Sequence, residues 1–172
     1  KNLNKDTPLK AFRPVVAVTG SAGKTTTKSM IASVLRERFY IFESKDNCNT
    51  SENTRKHVNQ ITPFHEAAVL EYAMGHEGVI ARHCQFIKPH LSIITNIGPS
   101  HISNFNNDIK GIARAKSEII KGMDKDGILI VNGDDPNSGL LETEQFKGNI
   151  IKVGTNKDCH FRAVNIQHNR MV

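Results

Sequence analysis

Val15-Val16-Ala17-Val18-Thr19-Gly20-Ser21-Ala22-Gly23-Lys24-Thr25-Thr26-Thr27 is the stretch from which the rest of the chain is read. An apolar run with strand character enters a glycine-rich turn, and Lys-Thr stands at its exit, where a helical pattern begins. That order of parts builds a phosphate cradle. Glycines let backbone N–H groups approach anionic oxygens closely, and the helix that follows offers its positive N-terminal end. Thr19, Gly20, Ser21, Ala22, Gly23, Lys24, Thr25 and Thr26 are therefore the candidate nucleotide contacts. Lys24 would neutralise β/γ-phosphate charge, and the Thr25 hydroxyl would ligate Mg²⁺. The strict G-x-x-x-x-G-K-[ST] spacing would need glycine where Val18 stands, so the loop is the shorter T-G-x-x-G-K-T form.

Composition frames that loop. A chain of 172 residues suits one α/β domain, since domains typically run to ~100–200 residues. Cys48, Cys84 and Cys159 are scattered with no C-x-x-C pair, which indicates neither a disulfide framework nor a zinc site. The net charge of +6 is spread along the chain with few aromatics. It reads as a solvated surface facing an anionic small substrate, not as a nucleic-acid interface. No apolar run approaches the ~20 residues of a membrane span, and no signal-peptide pattern opens the sequence. A soluble cytoplasmic protein is expected.

Strands alternate with helical patterns along the sequence. Residues 1–12 read as a linker. Strands are expected at 13–19, 39–43, 65–71, 90–96, 127–131, 149–153 and 160–166. Helices are expected at 24–38, at 54–60 behind a Thr50 or Ser51 cap, at 77–87 and at 109–121, with a short helix after Pro136. The fold class is α/β: a mostly parallel sheet flanked by helices, with added C-terminal antiparallel strands. Ligands of such sheets bind beyond the carboxyl ends of the strands. That rule selects Glu71 at the end of the third strand, Asn96 and His101 after the fourth, and Asn132, Asp134 and Asp135 after the fifth. Glu71 ends an apolar strand, where a carboxylate needs a partner, and Mg²⁺ shared with Thr25 would supply one.

Five ordered motifs carry a family resemblance: Thr19 to Thr27, Glu71, Ile94-Thr95-Asn96-Ile97-Gly98-Pro99-Ser100-His101, Gly111-Ile112-Ala113-Arg114-Ala115-Lys116-Ser117-Glu118, and Asn132-Gly133-Asp134-Asp135. Together they resemble the central ATP-binding domain of the Mur ligase family, P-loop NTPase-like in fold, over residues 13–172. The resemblance implies an ATP-dependent carboxylate–amine ligase working through an acyl phosphate, in peptidoglycan precursor synthesis. It implies that Lys24 stabilises the transferring phosphoryl group and that Thr25 and Glu71 hold a first Mg²⁺. His101 and a carbamylated Lys116 would hold a second. Asn96, Asn132 and Asp135 would serve the nucleotide. The partners implied are ATP, an anionic carboxylate substrate and an amino acid or peptide acceptor, with no nucleic acid or membrane, and a monomer is expected.

Two stretches depart from the family pattern, at positions where the family places substrate-facing loops: Glu71-Tyr72-Ala73-Met74-Gly75-His76-Glu77-Gly78 and Asn47-Cys48-Asn49-Thr50-Ser51-Glu52-Asn53. Family enzymes also carry an N-terminal substrate domain and a C-terminal domain. The chain is therefore expected to be a fragment of a longer ligase, with negligible catalysis alone. Two alternatives stay open. One is a paralogous ligase of the poly-γ-glutamate, cyanophycin or folylpolyglutamate type; the other is a non-catalytic P-loop nucleotide-binding module.

Overall fold

The computed structural model describes residues 14–45 and 48–167. The 1–12 linker and Asn47 lie outside the described residues. Seven strands and four α-helices follow in the order β1 (Val15–Thr19), α1 (Lys24–Arg36), β2 (Ile41–Glu43), α2 (Ser51–Gln60), β3 (Ala67–Glu71), α3 (Val79–Phe86), β4 (Leu91–Ile94), α4 (Ile109–Gly122), β5 (Ile128–Asn132), β6 (Asn149–Gly154) and β7 (Phe161–Arg162). Short 3₁₀ turns occupy Ile102–Phe105 and Pro136–Leu140. The sheet order is β2-β3-β1-β4-β5-β6-β7.

β1 and β3 are buried along their whole length, which is why they read as unbroken apolar runs and not as alternating ones. β1 lies between β3 and β4. The chain passes from β1 outward to β2, back to β3, and then to the other side of β1. The carboxyl end of β1 is thus a point where the winding direction reverses, and a crevice opens there.

Every strand pair is parallel, including β5 with β6 and β6 with β7. This corrects the expected antiparallel arrangement of the C-terminal strands. Residues 133–148, between β5 and β6, are enough to carry the chain back to the starting edge of the sheet, as a parallel connection requires. The shorter link to β7 folds around the Asp134 carboxylate, which accepts the Thr155 and Asn156 N–H groups at 2.6 and 2.9 Å. The chain therefore re-enters beside β6 in the same direction.

Two apolar clusters back the sheet. The larger joins one face of β1, β3, β4 and β5 to α3 and α4 through Tyr72, Ile80, Cys84, Ile112, Ile119, Leu129 and others. The smaller lies under α1, where Ile31 and Leu35 pack on Val16 and Val69. α3 and α4 touch closely: a Cβ at Gly122 would lie 2.6 Å from Cys84 Sγ. Glu118 of α4 accepts the N–H groups of Gly78 and Ala81 at the N-terminus of α3, at 2.6 and 3.0 Å. A carboxylate there satisfies free helix donors and the helix dipole together. That pair also fixes the register of α4, and with it the height of Lys116 above the sheet.

Candidate functional site

The crevice at the carboxyl end of β1 is a cleft of about 390 Å³ lined by Gly20, Lys24, Thr25, Asn49, Glu71, Ala73, Met74, Ser100, His101 and Lys116. Six of the residues singled out in the sequence, Gly20, Lys24, Thr25, Glu71, His101 and Lys116, meet there. They come from the turn after β1, the N-terminus of α1, the end of β3, the loop after β4 and the middle of α4. A groove of about 700 Å³ at the C-terminal end of α4, between Lys121 and Glu142, gathers none of them.

The glycine turn has steric reasons for its composition. Gly20 has φ +151°, and a Cβ there would sit 1.9 Å from Thr95 Oγ1. Gly23, at φ 76°, caps α1 from the left-handed region. The first helical bond runs from Thr27 N–H to the Gly23 carbonyl at 2.9 Å. The N–H groups of Lys24, Thr25 and Thr26 precede that ladder and point out of the helix start, beside the Lys24 ammonium.

Ser21 and Ala22 are placed differently. Their N–H groups donate to Asn96 Oδ1 at 3.0 and 2.9 Å, and the Ser21 hydroxyl and the Gly98 backbone sit 2.9 Å apart. Thr95 Oγ1 donates to the Ala22 carbonyl at 2.6 Å. The loop after β4 is thus a splint for the glycine turn, and Asn96 holds that turn from behind. Asp135 extends the splint, its carboxylate accepting from Ile97 and Asn137 N–H at 2.6 and 2.9 Å. Asn132 Oδ1 accepts from Asp134 N–H at 2.9 Å. Thr19 is fully buried, its hydroxyl without a partner among the described residues. None of these residues lines the cleft.

Glu71 is 2 % exposed and enters no ion pair among the described residues. Its Oε2 accepts the Thr25 hydroxyl at 2.7 Å, its Oε1 accepts Asn49 Nδ2 at 2.9 Å, and its own N–H donates to Ser44 Oγ at 3.1 Å. A carboxylate buried among neutral donors is one positive charge short of compensation. Oxygen donors from Thr25 and Glu71 suit a hard cation such as Mg²⁺, which takes one or two carboxylates and completes its shell with water and phosphate. No group of three or more His, Cys, Asp or Glu gathers among the described residues. The donor set therefore fits a cation shared with phosphate, not a cage made wholly of protein.

Lys116 is 2 % exposed, with its amine on the cleft wall and no hydrogen-bond or ion-pair partner among the described residues. Burial, reinforced by the like charge of Lys24, pulls its pKa down to about 7. Much of the amine is then neutral near pH 7. His101 is exposed and takes left-handed backbone at φ 57° immediately before the 3₁₀ turn, whose Asn104 donates to the Gly75 carbonyl at 2.8 Å.

Asn49, expected only as part of a substrate-facing loop that departs from the family pattern, lines the cleft and binds Glu71. Its signal in the sequence is its place after the second strand, since ligands of such sheets bind beyond the carboxyl ends of the strands. Tyr72 is the opposite case. It is fully buried, stacks on His83 and donates its hydroxyl to the Ile87 carbonyl at 2.6 Å. The departure from the family pattern at Tyr72 therefore faces the core and not a substrate, because the side chain following Glu71 points to the opposite face of the strand.

The Mur ligase middle domain family model matches residues 18–171. The UDP-N-acetylmuramoyl-tripeptide–D-alanyl-D-alanine ligase of Synechocystis sp. is 36 % identical over 143 residues, 82 % of this chain and 31 % of its own length. That of Bacillus subtilis is 41 % identical over 122 residues, 71 % of this chain and 26 % of its own. The structure of MurF ligase from Thermotoga maritima in complex with ADP superposes with TM-score 0.73 at 30 % identity, covering 83 % of this chain and 33 % of that one. MurF from Acinetobacter baumannii superposes with TM-score 0.80 at 30 % identity, over 90 % of this chain and 33 % of that one. The chain thus spans about a third of the length of the relatives it matches. Its sheet order, its phosphate turn and these matches agree, and the chain belongs to the Mur ligase middle domain family.

Proposed function

We propose that this chain is the ATP-binding central part of a longer ATP-dependent ligase that joins a carboxylate to an amine in peptidoglycan precursor synthesis. Supporting the reading is the convergence in one cleft of a free helix N-terminus, the Thr25–Glu71 pair and the unpartnered Lys116 amine. A switch that only binds nucleotide has no use for a buried amine beside the phosphate site. The names of the relatives point to UDP-N-acetylmuramoyl-tripeptide as the acid and D-alanyl-D-alanine as the amine. The longer enzyme works in the cytoplasm as a monomer. No helix among the described residues is long and apolar enough to cross a membrane.

In this mechanism the N–H groups of Lys24, Thr25 and Thr26 hold the terminal phosphates of ATP, and the Lys24 ammonium follows the charge that develops on the transferring group. A substrate carboxylate oxygen attacks the γ-phosphorus, the bond to ADP breaks, and an acyl phosphate forms. The amine nitrogen then attacks the acyl carbon and phosphate leaves with its bonding pair. Thr25 and Glu71 would hold one Mg²⁺, which neutralises phosphate charge. The neutral Lys116 amine would attack CO₂, forming an N–C bond as one C=O π pair moves onto oxygen and the proton on nitrogen passes to water. The resulting carbamate and His101 would offer ligands for a second cation near the acyl phosphate.

The test is phosphate release from ATP by the longer enzyme with Mg²⁺ and paired substrates. Release that requires both UDP-N-acetylmuramoyl-tripeptide and D-alanyl-D-alanine is the expected result. Release with a different acid and amine pair would reassign the substrates, and nucleotide binding without ligation under any pairing would overturn the reading.

A further inference from the structure

Beneath the cleft, one buried histidine holds two of the elements that shape it. His83 of α3 is fully buried and touches no cleft volume. Its Nε2 lies 3.1 Å from the Ala73 carbonyl and its Nδ1 lies 2.6 Å from Thr54 Oγ1. A carbonyl can only accept, so Nε2 carries the proton, and Nδ1 must then accept the Thr54 hydroxyl. Burial lowers the His83 pKa to about 4, so this neutral tautomer persists at neutral pH. Tyr72 stacks on the ring with centroids 4.4 Å apart and is itself tied to the Ile87 carbonyl, which leaves the imidazole no room to turn.

Both arms lead to Asn49. Along the first, Ala73 N–H donates to the Asn49 carbonyl at 3.0 Å, so the histidine holds the strand exit to which the Asn49 backbone is bonded. Along the second, Thr54 belongs to the first turn of α2, whose N-cap Thr50 directly follows Asn49. Asn49 in turn donates to Glu71 Oε1, while Thr25 donates to Oε2. Glu71 is aimed from one side by the phosphate turn and from the other by a residue with two anchors on a single imidazole.

We propose that His83 is a positioning residue: by fixing Asn49 from both sides it orients the Glu71 carboxylate, and so sets the affinity of the cleft for the divalent cation that accompanies a nucleotide. The inference rests on the proposed function and extends it to a side chain that meets neither nucleotide nor substrate. Groups that orient metal ligands typically change metal affinity by ~10–100-fold when removed.

The test is calorimetric binding of ADP to the longer enzyme with Mg²⁺ and with EDTA, for the wild type and for His83→Leu, His83→Gln and Thr54→Val. His83→Leu is expected to weaken the Mg²⁺-dependent part of ADP binding by about 10-fold or more, with binding in EDTA unchanged. His83→Gln keeps an N–H that can reach the Ala73 carbonyl and is expected to recover most of the loss. Thr54→Val removes one arm and falls between, and it carries the test with His83→Gln if His83→Leu does not fold. In hydrogen exchange the Ala73 amide is expected to lose protection in His83→Leu and regain it in His83→Gln. Folded variants with the Mg²⁺ affinity of the wild type would overturn the inference alone. A wild-type longer enzyme without Mg²⁺-dependent ADP binding would overturn the proposed function, and the inference with it.

Discussion

Lys28 and Lys116 are both helical lysines and both almost wholly buried, yet their surroundings are opposite. Lys28 donates to the Ser44 carbonyl at 2.5 Å and lies 3.3 Å from Glu43 Oε1, so its ammonium arrives at a built acceptor and ties α1 to the end of β2. Lys116 has no acceptor among the described residues, faces the cleft, and feels Lys24 as a second positive charge. A buried ammonium without a counter-charge is costly, and the group responds by giving up its proton. The pair teaches how a fold separates a structural lysine from a chemical one: both are removed from water, and only one is given a partner.

The most damaging way to probe the comparison is Lys28→Met. It leaves the Ser44 carbonyl without its donor and Glu43 with Arg36 alone, and is expected to cost about 1–3 kcal/mol, as the loss of a buried hydrogen-bond partner does. Urea denaturation checks this; a loss under ~1 kcal/mol, the value of an exposed pair, would place Lys28 among the ordinary surface lysines. Lys116→Met is expected to act in the opposite sense on the fold, raising the melting temperature, while lowering ligation by the longer enzyme about 10²–10³-fold. Removing CO₂ and bicarbonate should slow the wild-type enzyme and leave the variant unchanged. Wild-type rates in Lys116→Met would end the carbamate proposal.

A pH series sharpens the contrast further. The Lys116 pKa is near 7 in the folded chain and about 10.4 when unfolded, so across that window the unfolded chain binds more protons. Stability should therefore rise with pH from about 7 upward, by at most ~1.4 kcal/mol per unit from this residue. Denaturation midpoints at several pH values would show the rise, and Lys116→Met should flatten it. The smallest effect belongs to Arg36, which pairs with the same Glu43 from a half-exposed position. Arg36→Ala should cost less than ~1 kcal/mol; a loss equal to that of Lys28→Met would mean that burial does not distinguish the two partners.

The phosphate turn was legible because its function requires particular residues in consecutive order: the Gly20 and Gly23 backbones exclude side chains, and Lys24 and Thr25 follow from the chemistry of phosphate and Mg²⁺. Glu71 was legible because an acid at the end of an apolar strand is conspicuous. Lys116 was legible only through resemblance, since a lysine in an amphipathic helix ordinarily points to solvent. Asn96 and Asp135 were found as residues, but their bonds to the turn's own N–H groups and to Ile97 came from the packing of two loops. The direction of β6 and β7 departs from expectation because period and composition say nothing about which way a strand runs. Residues 133–148 and the Asp134 turn decide it.

By itself, the sequence determined an α/β sheet with a phosphate turn after its first strand, since apolar runs, glycine placement and helix caps are local and act over a few residues. Tertiary structure alone decided which side chains meet in the cleft and in what state. The pairing of Glu71 with Thr25 and Asn49, the missing partner of Lys116 and the clamp of His83 all join residues distant along the chain. Burial and partner supply set the charge of a side chain, and both are properties of the packed fold.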